Sequence, residues 1–381
     1  MTERLFDADS HLKTFTAIVR TCRPDKNSYE IILDKTAFFP AGGGQPCDVG
    51  KLGNAVVSDV FDRGPEIVHI SDSPLTEGTE VYGELDWERR LRLMQNHSGE
   101  HIVSGLVHRL YGFDNVGFHM GADAVTIDFN GELTADDIRR VEYRANLAVA
   151  ENVRVTSGYP SPQELAFLNY RSKLELTENV RLVNIDGFDL CACCAPHVNR
   201  TGEIGLIKLL GFMRHRGGVR ISMLAGLDAL DDYTAKSENA AAASVMLSAP
   251  QSDIANAIRR VLGELEDANT QINELKKRIV ALKAASLKPS EGNICIFEKD
   301  MDPVSLRELV NAGMELCKGM CAAFSGEDGN RKYIIGSRTT DLKALAGDIN
   351  KAINGRGGGS SDMIQGSCSA PVSVIEDYFL R

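Results

Sequence analysis

The chain has 381 residues, of which 43% are hydrophobic and 25% are charged, a composition typical of a globular protein with two or three domains. The net charge of −11 argues against a general nucleic-acid-binding surface but permits a local basic patch. No apolar run approaches the roughly 20 residues of a membrane span, and the charged start does not resemble a secretory signal. Nine cysteines without an export signal indicate a reducing compartment, so we expect a cytoplasmic protein with no membrane partner.

The first part of the chain is predicted to be rich in β-strands. TFTAIVRTC and YEIILDKTAFF carry the β-branched and aromatic residues that strands favour, and the turn AGGGQPCDVG follows them. We therefore predict a β-barrel-like domain over residues 1–90.

A helical pattern begins near residue 91, where LRLMQNHSGEHIVSGLVHRLY places apolar residues and two histidines at helical spacing. AVTIDFNG is typical of a strand, ADDIRRVEYRANLAVAENV indicates an amphipathic helix, and two short strands are expected around HRGGVRI. Residues 91–240 are thus predicted to form a second domain that mixes helices and strands. For the whole chain we predict the α+β class.

Residues 250–287 are predicted to form one long helix with a heptad repeat. Its a and d positions, which are residues 258, 261, 265, 268, 272, 275, 279 and 282, are all apolar. This pattern favours a coiled-coil-like stalk or a dimer seam over a helix packed on its own domain, which remains an alternative. Residues 290–381 then alternate strands and helices around a predicted glycine loop, GRGGGSSDMIQGS, so we predict a small C-terminal α/β domain.

The stretch HSGEH suggests half of a metal site. His97 and His101 stand four residues apart, so a helix places both on one face. Zinc needs four ligands, or three and a water. The segment CCAPHV supplies Cys193 and His197, and the four side chains together form a set of three imidazoles and one thiolate that suits zinc.

Two alternatives to this ligand set stay open. Cys191 and Cys194 are rival thiolates in the same segment, and all three cysteines could instead be buried apolar residues. HSGEH also matches the H-x-x-E-H pattern of a class of zinc proteases, with Glu100 as general base. That class needs a downstream glutamate ligand, whereas the obvious downstream group here contains sulfur and imidazole.

Several motifs in order resemble those of one known family. TAFFPAGGGQPCDVG is similar to its T-x-F-Y-P-E-G-G-G-Q segment, HSGEH to its H-x-x-x-H segment, and CCAPHV to its C-x-x-x-H-V segment, and HRGGVRI is similar to the strand that follows. The chain thus resembles the free-standing alanyl-tRNA editing proteins and the editing domain of alanyl-tRNA synthetase. GRGGGSSDMIQG is similar to a glycine-rich loop in the last domain of that synthetase. Ala41, Ala195 and Pro196 depart from the family pattern, and Glu100 is unusual in it.

The resemblance implies a trans-acting zinc hydrolase that works without ATP on mischarged tRNA(Ala), releasing serine or glycine by cleaving the aminoacyl ester. We predict that Gln45 acts on the ester or the attacking water, and that Glu100 is a base or a partner that orients a ligand histidine. Thr36 is predicted to bond a seryl hydroxyl, although it could be an ordinary strand residue. The predicted oxyanion and adenosine contacts are the backbones of Gly42, Gly43 and Gly44.

Partners beyond the terminal adenosine are predicted from charge and from the heptads. A basic cluster around HRGGVRI could hold acceptor-stem phosphates through Arg214, Arg216 and Arg220, although a solvated hairpin is almost as good an interpretation. The heptads and the C-terminal domain suggest a homodimer, and no DNA partner is expected. The competing functional classes are the H-x-x-E-H protease and a non-catalytic, zinc-containing RNA-binding protein.

Overall fold

The computed structural model describes residues 1–172 and 179–380. The chain divides into two compact units, Met1–Ala242 and Ala243–Arg381, which we describe separately. Helices and sheets of mixed topology occur in both units, and the predicted α+β class is confirmed. Within the described residues, no helix is both long enough and apolar enough to cross a membrane.

The first unit begins with a closed β-barrel. The elements of residues 1–85 are β1 Glu3–Arg4, α1 Leu5–Ala8, β2 Thr14–Asp25, β3 Ser28–Leu33, β4 Lys35–Thr36, β5 Gly50–Leu52, β6 Ala55–Arg63, β7 Glu66–Ser71 and β8 Glu80–Leu85. The barrel order is β2-β3-β7-β6-β5-β8, and β8 pairs back onto β2. Alternation along β2 buries Phe15, Ala17 and Val19 in the barrel core. The glycine motif lies in the connection between β4 and β5.

The remainder of the first unit packs two long helices with two sheets. Its elements are α2 Trp87–Tyr111, β9 Asn115–Met120, β10 Val125–Phe129, α3 Ala135–Glu151, β11 Val155–Gly158, α4 Pro162–Leu165, β12 Leu182–Ile185, β13 Asp189–Ala192, β14 Ile207–His215, β15 Gly218–Ala225 and α5 Gly226–Leu247. One sheet has the order β14-β15-β10-β9 and the other β11-β12-β13. Residues of α2, α3 and both sheets share one apolar core.

Both ends of α2 follow from the local sequence. The side chain of Asp86 accepts a hydrogen bond from the backbone N–H of Arg89, which caps the start of the helix. Gly112 ends it in the left-handed conformation at φ 71°, which glycine adopts at low cost. The predicted helix near residue 91 is therefore confirmed, and it begins four residues earlier than its apolar pattern suggested, at Trp87.

The second unit contains one five-stranded sheet. Its elements are α6 Ile254–Ser286, β16 Ile294–Glu298, α7 Pro303–Met314, β17 Met320–Glu327, β18 Asn330–Ser337, α8 Leu342–Ala352, β19 Gly355–Gly359, β20 Met363–Cys368 and α9 Val372–Phe379. The strand order is β16-β17-β18-β20-β19, with β16 parallel to β17 and the other pairs antiparallel. The helix predicted over the heptads is present as α6, whereas a coiled coil involving it remains a prediction.

The segment GRGGG is a strand, so the prediction of a glycine loop was wrong. It forms β19 at the edge of the sheet and pairs with β20 from Gly355 to Gly359. Glycine is usually rare in strands because it packs no side chain. At Gly357 the neighbours leave no space for one, since a Cβ there would lie 2.3 Å from the hydroxyl of Tyr333.

Candidate metal centre

The two histidines of HSGEH lie on one face of α2 and are almost fully buried. His97 and His101 are each 2% exposed, and their ring centroids are 5.3 Å apart. This is the arrangement that the i, i+4 spacing predicted.

The second pair of predicted ligands meets the first. Cys193 and His197 follow β13, and the donor atoms of His97, His101, Cys193 and His197 all lie within 4.8 Å of one another. The thiol Sγ of Cys193 is 3.6 Å from Nε2 of His97 and 3.4 Å from Nε2 of His197. Side chains from α2 and from the segment after β13 thus converge on one point that could hold a metal ion.

Each of the three histidines has a second partner on its other ring nitrogen. Nδ1 of His97 is 2.7 Å from Oε1 of Gln45, and Nδ1 of His101 is 2.9 Å from a carboxylate oxygen of Asp189. Nδ1 of His197 is 3.0 Å from the hydroxyl of Ser98. Such bonds fix the ring orientation and leave Nε2 as the ligating nitrogen, which is the usual arrangement around a bound metal.

The charges within the cluster favour a thiolate. Burial alone would raise the pKa of Cys193, but its electrostatic interaction with the imidazoles of His97 and His197 and hydrogen bonds from His101 and His197 hold it well below its usual value. Burial opposes a charge on His101 as well, yet its bond to Asp189 and the neighbouring thiol groups raise its pKa well above the usual value. Burial lowers the pKa of His197 to about 3. A thiolate is the form of cysteine that binds metals.

Asp189 and Arg171 were missed in the sequence. The guanidinium of Arg171 donates two hydrogen bonds to Asp189, with lengths of 2.7 and 2.8 Å, and Asp189 in turn holds His101. The sequence did contain a signal for Asp189, because alternation along a strand places Asp189, Cys191 and Cys193 on one side. The sequence contained no such signal for Arg171. Its contact with Asp189 arises because the chain around Arg171 lies beside β13, where Arg171 forms a β-bridge with Cys191.

A cavity of about 500 Å³ opens beside the cluster. Its charged lining residues are Arg4, Glu100, Arg171 and Arg181, together with the cluster histidines His97 and His101. The cavity therefore combines candidate metal ligands with three guanidinium groups from separate parts of the first unit. It is large enough for a small polar ligand to approach the three donor residues that line it, His97, His101 and Cys193.

Gly43 and Gly44 of the glycine motif line this cavity, whereas Gly42 does not, and the predicted oxyanion and adenosine contacts of all three remain a prediction. Gly43 and Gly44 have φ angles of +61° and +86°, and a Cβ on Gly44 would lie 2.5 Å from the ring of Phe118. Gly42 and Gln45 close the turn through two backbone hydrogen bonds of 3.0 Å. The turn needs glycine both for its backbone conformation and for its close approach to β9.

Gln45 is 2% exposed and joins this turn to the cluster. Its Oε1 is bonded to His97, whereas its Nε2 has no hydrogen-bond partner within the part of the chain that is described. Because a buried amide without a partner is unfavourable, this N–H₂ group is suited to donating to a ligand in the site.

Glu100 lines the cavity, and two of its hydrogen-bond partners are neutral side chains. It is 3% exposed, and its Oε1 accepts hydrogen bonds from Ser104 and Asn115. The groups seen orienting the ligand histidines are Gln45, Asp189 and Ser98 rather than Glu100. The converging set of three histidines and Cys193 also differs from the two histidines and glutamate that the H-x-x-E-H proteases require.

Thr36 does not lie where the predicted contact with a seryl hydroxyl requires it. Its side chain is fully buried and is hydrogen-bonded to Nε2 of His69 at 2.8 Å, and it also accepts from the N–H of Phe38. Thr36 is not part of the cavity lining among the described residues. Burial lowers the pKa of His69 to about 4, so this pair is a neutral element of the barrel core.

The rival cysteines occupy different positions from Cys193. Cys191 is buried within 4.8 Å of donor atoms of His101 and Asp189, while Cys194 is exposed beside the glycine turn. Burial raises the pKa of both thiols. Cys193 is therefore the cysteine whose surroundings favour the thiolate.

The predicted phosphate contacts lie on the hairpin of β14 and β15, and two of them are paired with carboxylates. Arg220 donates to both oxygens of Asp128, at 2.7 and 2.8 Å, and Arg214 contacts Glu132 at 3.3 Å. Arg216 occupies the turn with a φ of 47°. The positive charge of this patch is thus partly offset, and a role in binding phosphate remains a prediction.

Comparison with known proteins finds relatives among alanyl-tRNA editing proteins and alanine–tRNA ligases. Residues 180–222, which include Cys193 and His197, match the profile of the threonyl and alanyl tRNA synthetase second additional domain. The alanyl-tRNA editing protein AlaX-L of Pyrococcus horikoshii is 27% identical over 100% of this chain and 98% of its own length. This chain is related to the alanyl-tRNA editing proteins and to alanyl-tRNA synthetase. The resemblance predicted from the motifs is therefore confirmed.

The synthetase relatives are longer proteins. Alanine–tRNA ligase of Ignicoccus hospitalis is 29% identical over 98% of this chain and 42% of its own length. The ligase of Methanoregula boonei is 30% identical over 88% of this chain and 38% of its own length. This chain therefore spans less than half the length of these ligases. The match to the solved C-Ala domain of Aquifex aeolicus alanyl-tRNA synthetase covers 23% of this chain and 87% of that domain's chain. Its sequence identity is 22% and its TM-score is 0.20.

Proposed function

We propose that this chain is a trans-editing hydrolase that deacylates tRNA(Ala) carrying serine or glycine. The relative named as an alanyl-tRNA editing protein, which matches along its whole length, supports the substrate class. The observation that carries the chemistry is the convergence of His97, His101, Cys193 and His197 beside the unpartnered amide of Gln45.

Zinc is the metal that this donor set fits best. Three imidazoles and one thiolate are borderline ligands that suit Zn²⁺. Tetrahedral zinc with bonds of about 2.3 Å to sulfur and about 2.0 Å to nitrogen places those two atoms about 3.5 Å apart. The distances of 3.6 and 3.4 Å from Cys193 Sγ to the two imidazole nitrogens agree with this value.

The side chains around the donor set position an ester for hydrolysis. When bound, zinc would supply a fixed positive charge that orients the amino group of the substrate or a water. The free N–H₂ of Gln45 donates to the ester or the attacking water, and the backbones of Gly43 and Gly44 approach the carbonyl as it gains negative charge. Glu100, held by Ser104 and Asn115, contributes a carboxylate to the cavity wall.

Binding of the rest of the tRNA is proposed to involve Arg214, Arg216 and Arg220 on the β14–β15 hairpin. These residues would contact phosphates of the acceptor stem, and such contacts weaken as salt rises. The carboxylates of Asp128 and Glu132 compete for two of them. We therefore expect this hairpin to make a modest contribution to affinity.

A homodimer is proposed from the surface of α6. The large apolar residues of its heptads are between 42% and 73% exposed, namely Ile258, Val261, Leu265, Ile272, Leu275, Ile279 and Leu282. A second copy of α6 could cover this stripe as a coiled coil. Light scattering should give a dimer for the full chain and a monomer after residues 251–381 are removed; a full-length monomer would refute the proposal.

The decisive experiment is a deacylation assay with Ser-tRNA(Ala), Gly-tRNA(Ala) and Ala-tRNA(Ala). We expect release of serine or glycine, loss of the activity after treatment with a chelator, and its recovery with zinc. His101→Ala should lose both bound zinc and activity. The matched control is His108→Ala, which removes an exposed histidine from the same helix, where it contacts Asp114, and should keep both.

Other outcomes of this assay would identify the alternatives. Full activity in a His101→Ala variant that contains no zinc would remove the metal from the proposal. Cleavage of casein without deacylation would point to a protease, and tRNA binding with intact zinc but no turnover to a non-catalytic protein. Glu100→Gln tests the general base, because retention of most of the rate would exclude that role.

A further inference from the structure

A buried carboxylate lies in the wall of the metal cavity without being one of the four candidate ligands. Glu100 is 3% exposed and stands between His97 and His101 in the sequence of α2, and all three side chains line the cavity. The converging donor set consists of three histidines and Cys193 and does not include Glu100. Among the described residues that line this cavity, Glu100 is the one carboxylate.

A small polar network fixes the orientation of this carboxylate. Its Oε1 accepts hydrogen bonds from the hydroxyl of Ser104 and from Nδ2 of Asn115. The amide of Asn115 is itself held, since its Nδ2 also donates to Ser104 at 3.0 Å and its Oδ1 accepts from the N–H of Gly117 at 3.1 Å. Donors from α2 and β9 therefore place Glu100, and such bonds favour the charged form of a carboxylate. Because a carboxylate accepts several hydrogen bonds at once, a ligand can join these partners.

The guanidinium groups of the cavity have acidic partners of their own. Each contacts an aspartate that does not line the cavity, namely Asp62 for Arg4, Asp189 for Arg171 and Asp7 for Arg181. These cations suit the negative groups of a ligand but repel a positive one. An amino-acid ester carries a positive charge on its α-ammonium group, and Glu100 is the carboxylate in the lining that can pair with it.

We infer that Glu100 binds the α-ammonium group of the aminoacyl ester. The inference rests on the proposed function, which places such an ester in this cavity. It also decides which substrate group faces the metal ligands, because an ammonium held by a carboxylate has no lone pair with which to bind a metal. The attacking water or the ester carbonyl is then the group that the positive charge of the bound metal orients.

Binding can be measured without hydrolysis by using stable amide analogues of the ester. The probes are three forms of tRNA(Ala) whose terminal adenosine has a 3′-amino group acylated with glycine, with serine or with acetic acid. The acetyl form is the glycyl form without its amino group. Fluorescence anisotropy at pH 7 keeps the α-amino group mostly protonated, since such groups have pKa values of about 7.7–8.0. We expect the full-length protein to bind the glycyl and seryl forms about tenfold or more tightly than the acetyl form.

Glu100→Gln tests the pairing because it keeps the size and the acceptor oxygen of the side chain but removes its charge. The glycyl and seryl forms should lose their advantage equally, while the affinity for the acetyl form should not change. The matched control is Glu88→Gln on the same helix, where Glu88 is 69% exposed and contacts Arg92, and it should keep the full preference. In the deacylation assay, Glu100→Gln should raise KM with little change in kcat.

Two further measurements separate this role from effects on structure. The zinc content of Glu100→Gln should equal that of the unchanged protein, since Glu100 is not among the four donor residues. Ser104→Ala removes one of the two donors that orient the carboxylate, so it should reduce the preference for the glycyl form by less than Glu100→Gln does. Circular dichroism checks that each variant is folded, and Ser104→Ala carries the test if Glu100→Gln is not.

The inference is overturned if the unchanged protein binds the acetyl and glycyl forms equally, or if Glu100→Gln loses zinc together with affinity. A loss confined to the seryl form would assign Glu100 to the seryl hydroxyl instead, and a lower kcat with unchanged binding would make it a general base. Deacylation by a protein that does not prefer the glycyl form would remove this inference alone. A Glu100-dependent preference without deacylation would remove the proposed function alone.

Discussion

The helices α2 and α6 depart from the usual amphipathic pattern in opposite directions. The buried part of α2 contains the polar residues Arg90, Gln95, Asn96, His97, Ser98, Glu100, His101 and Ser104. In α6 the buried residues are Ala257 and Val280, while the large apolar heptad residues are exposed. A globular helix normally buries its apolar side and exposes its polar side.

The difference shows what each departure signifies. Buried polar groups are tolerated when they have hydrogen-bond partners, and those of α2 include two of the candidate metal ligands and side chains that bond to neighbouring elements. Asn96, for example, accepts from the N–H of Ala225 and donates to Asp228. Exposed apolar groups instead indicate a surface that awaits a partner. Polar burial in α2 thus accompanies the candidate site, and apolar exposure in α6 is the basis on which an interface is proposed there.

The largest expected effect comes from breaking the buried pair on α2. Arg90 is fully buried, bonds both oxygens of Asp48 and also donates to the carbonyls of Ala37 and Ser10. Arg90→Ala leaves Asp48 as an uncompensated buried charge, so the free energy of unfolding should fall by about 3–5 kcal/mol. Urea unfolding followed by the fluorescence of Trp87, the single tryptophan, measures this directly.

An exposed ion pair in the same unit provides the control. Arg139 contacts Asp136 on α3, and their side chains are 70% and 80% exposed. Arg139→Ala should change the free energy of unfolding by less than about 1 kcal/mol. Equal effects of the two substitutions would mean that the buried polar face of α2 is not a stability element.

Much of this contrast could be predicted from the sequence. The helical period places His97 and His101 together, and ligand chemistry points to Cys193 and His197 as their partners, with Cys191 and Cys194 left open as rival thiolates. The heptads predict a helix that the structure contains as α6. These features depend on local spacing or on the side-chain type alone.

The remaining features depend on contacts between distant segments. The bond of Asp189 to His101 joins residues 88 positions apart, and that of Ser98 to His197 spans 99. The strand β19 escaped prediction because the lack of space at Gly357 arises from Tyr333 on another strand. Thr36 was misplaced for the same reason, since His69 occupies its hydroxyl.

The second prediction concerns Asp189, which holds His101 in place but is not one of the four candidate metal ligands. Asp189→Asn removes the charge that orients His101 and pairs with Arg171. Loss of such a partner usually lowers metal affinity 10- to 100-fold, so competition with a chelating zinc dye should show a decrease of that order. Asp186→Asn, on the exposed turn before β13 where Asp186 accepts from Asn184, should leave the affinity unchanged. Unchanged affinity in Asp189→Asn would show that Asp189 does not support the cluster.

The third prediction uses a glycine in the buried part of α2. A Cβ on Gly105 would lie 2.4 Å from the carbonyl oxygen of Phe188 and 2.9 Å from Cβ of Asp189. Gly105→Ala should therefore separate α2 from β13 and lower the free energy of unfolding by about 1–3 kcal/mol, again measured with Trp87. A stabilised variant would mean that α2 and β13 do not pack closely at this point.

The smallest expected effect comes from the corresponding glycine of α6 and has the opposite sign. Nothing lies within 4 Å of a Cβ added to Gly263, and this residue falls at heptad position f, away from the proposed seam. Gly263→Ala should stabilise the helix by about 0.5–1 kcal/mol, because alanine loses less backbone entropy than glycine. Hydrogen exchange of the α6 amides should slow accordingly, and the oligomeric state should not change. Faster exchange would mean that a partner approaches α6 on this face too, and that its exposed apolar stripe is not the whole interface.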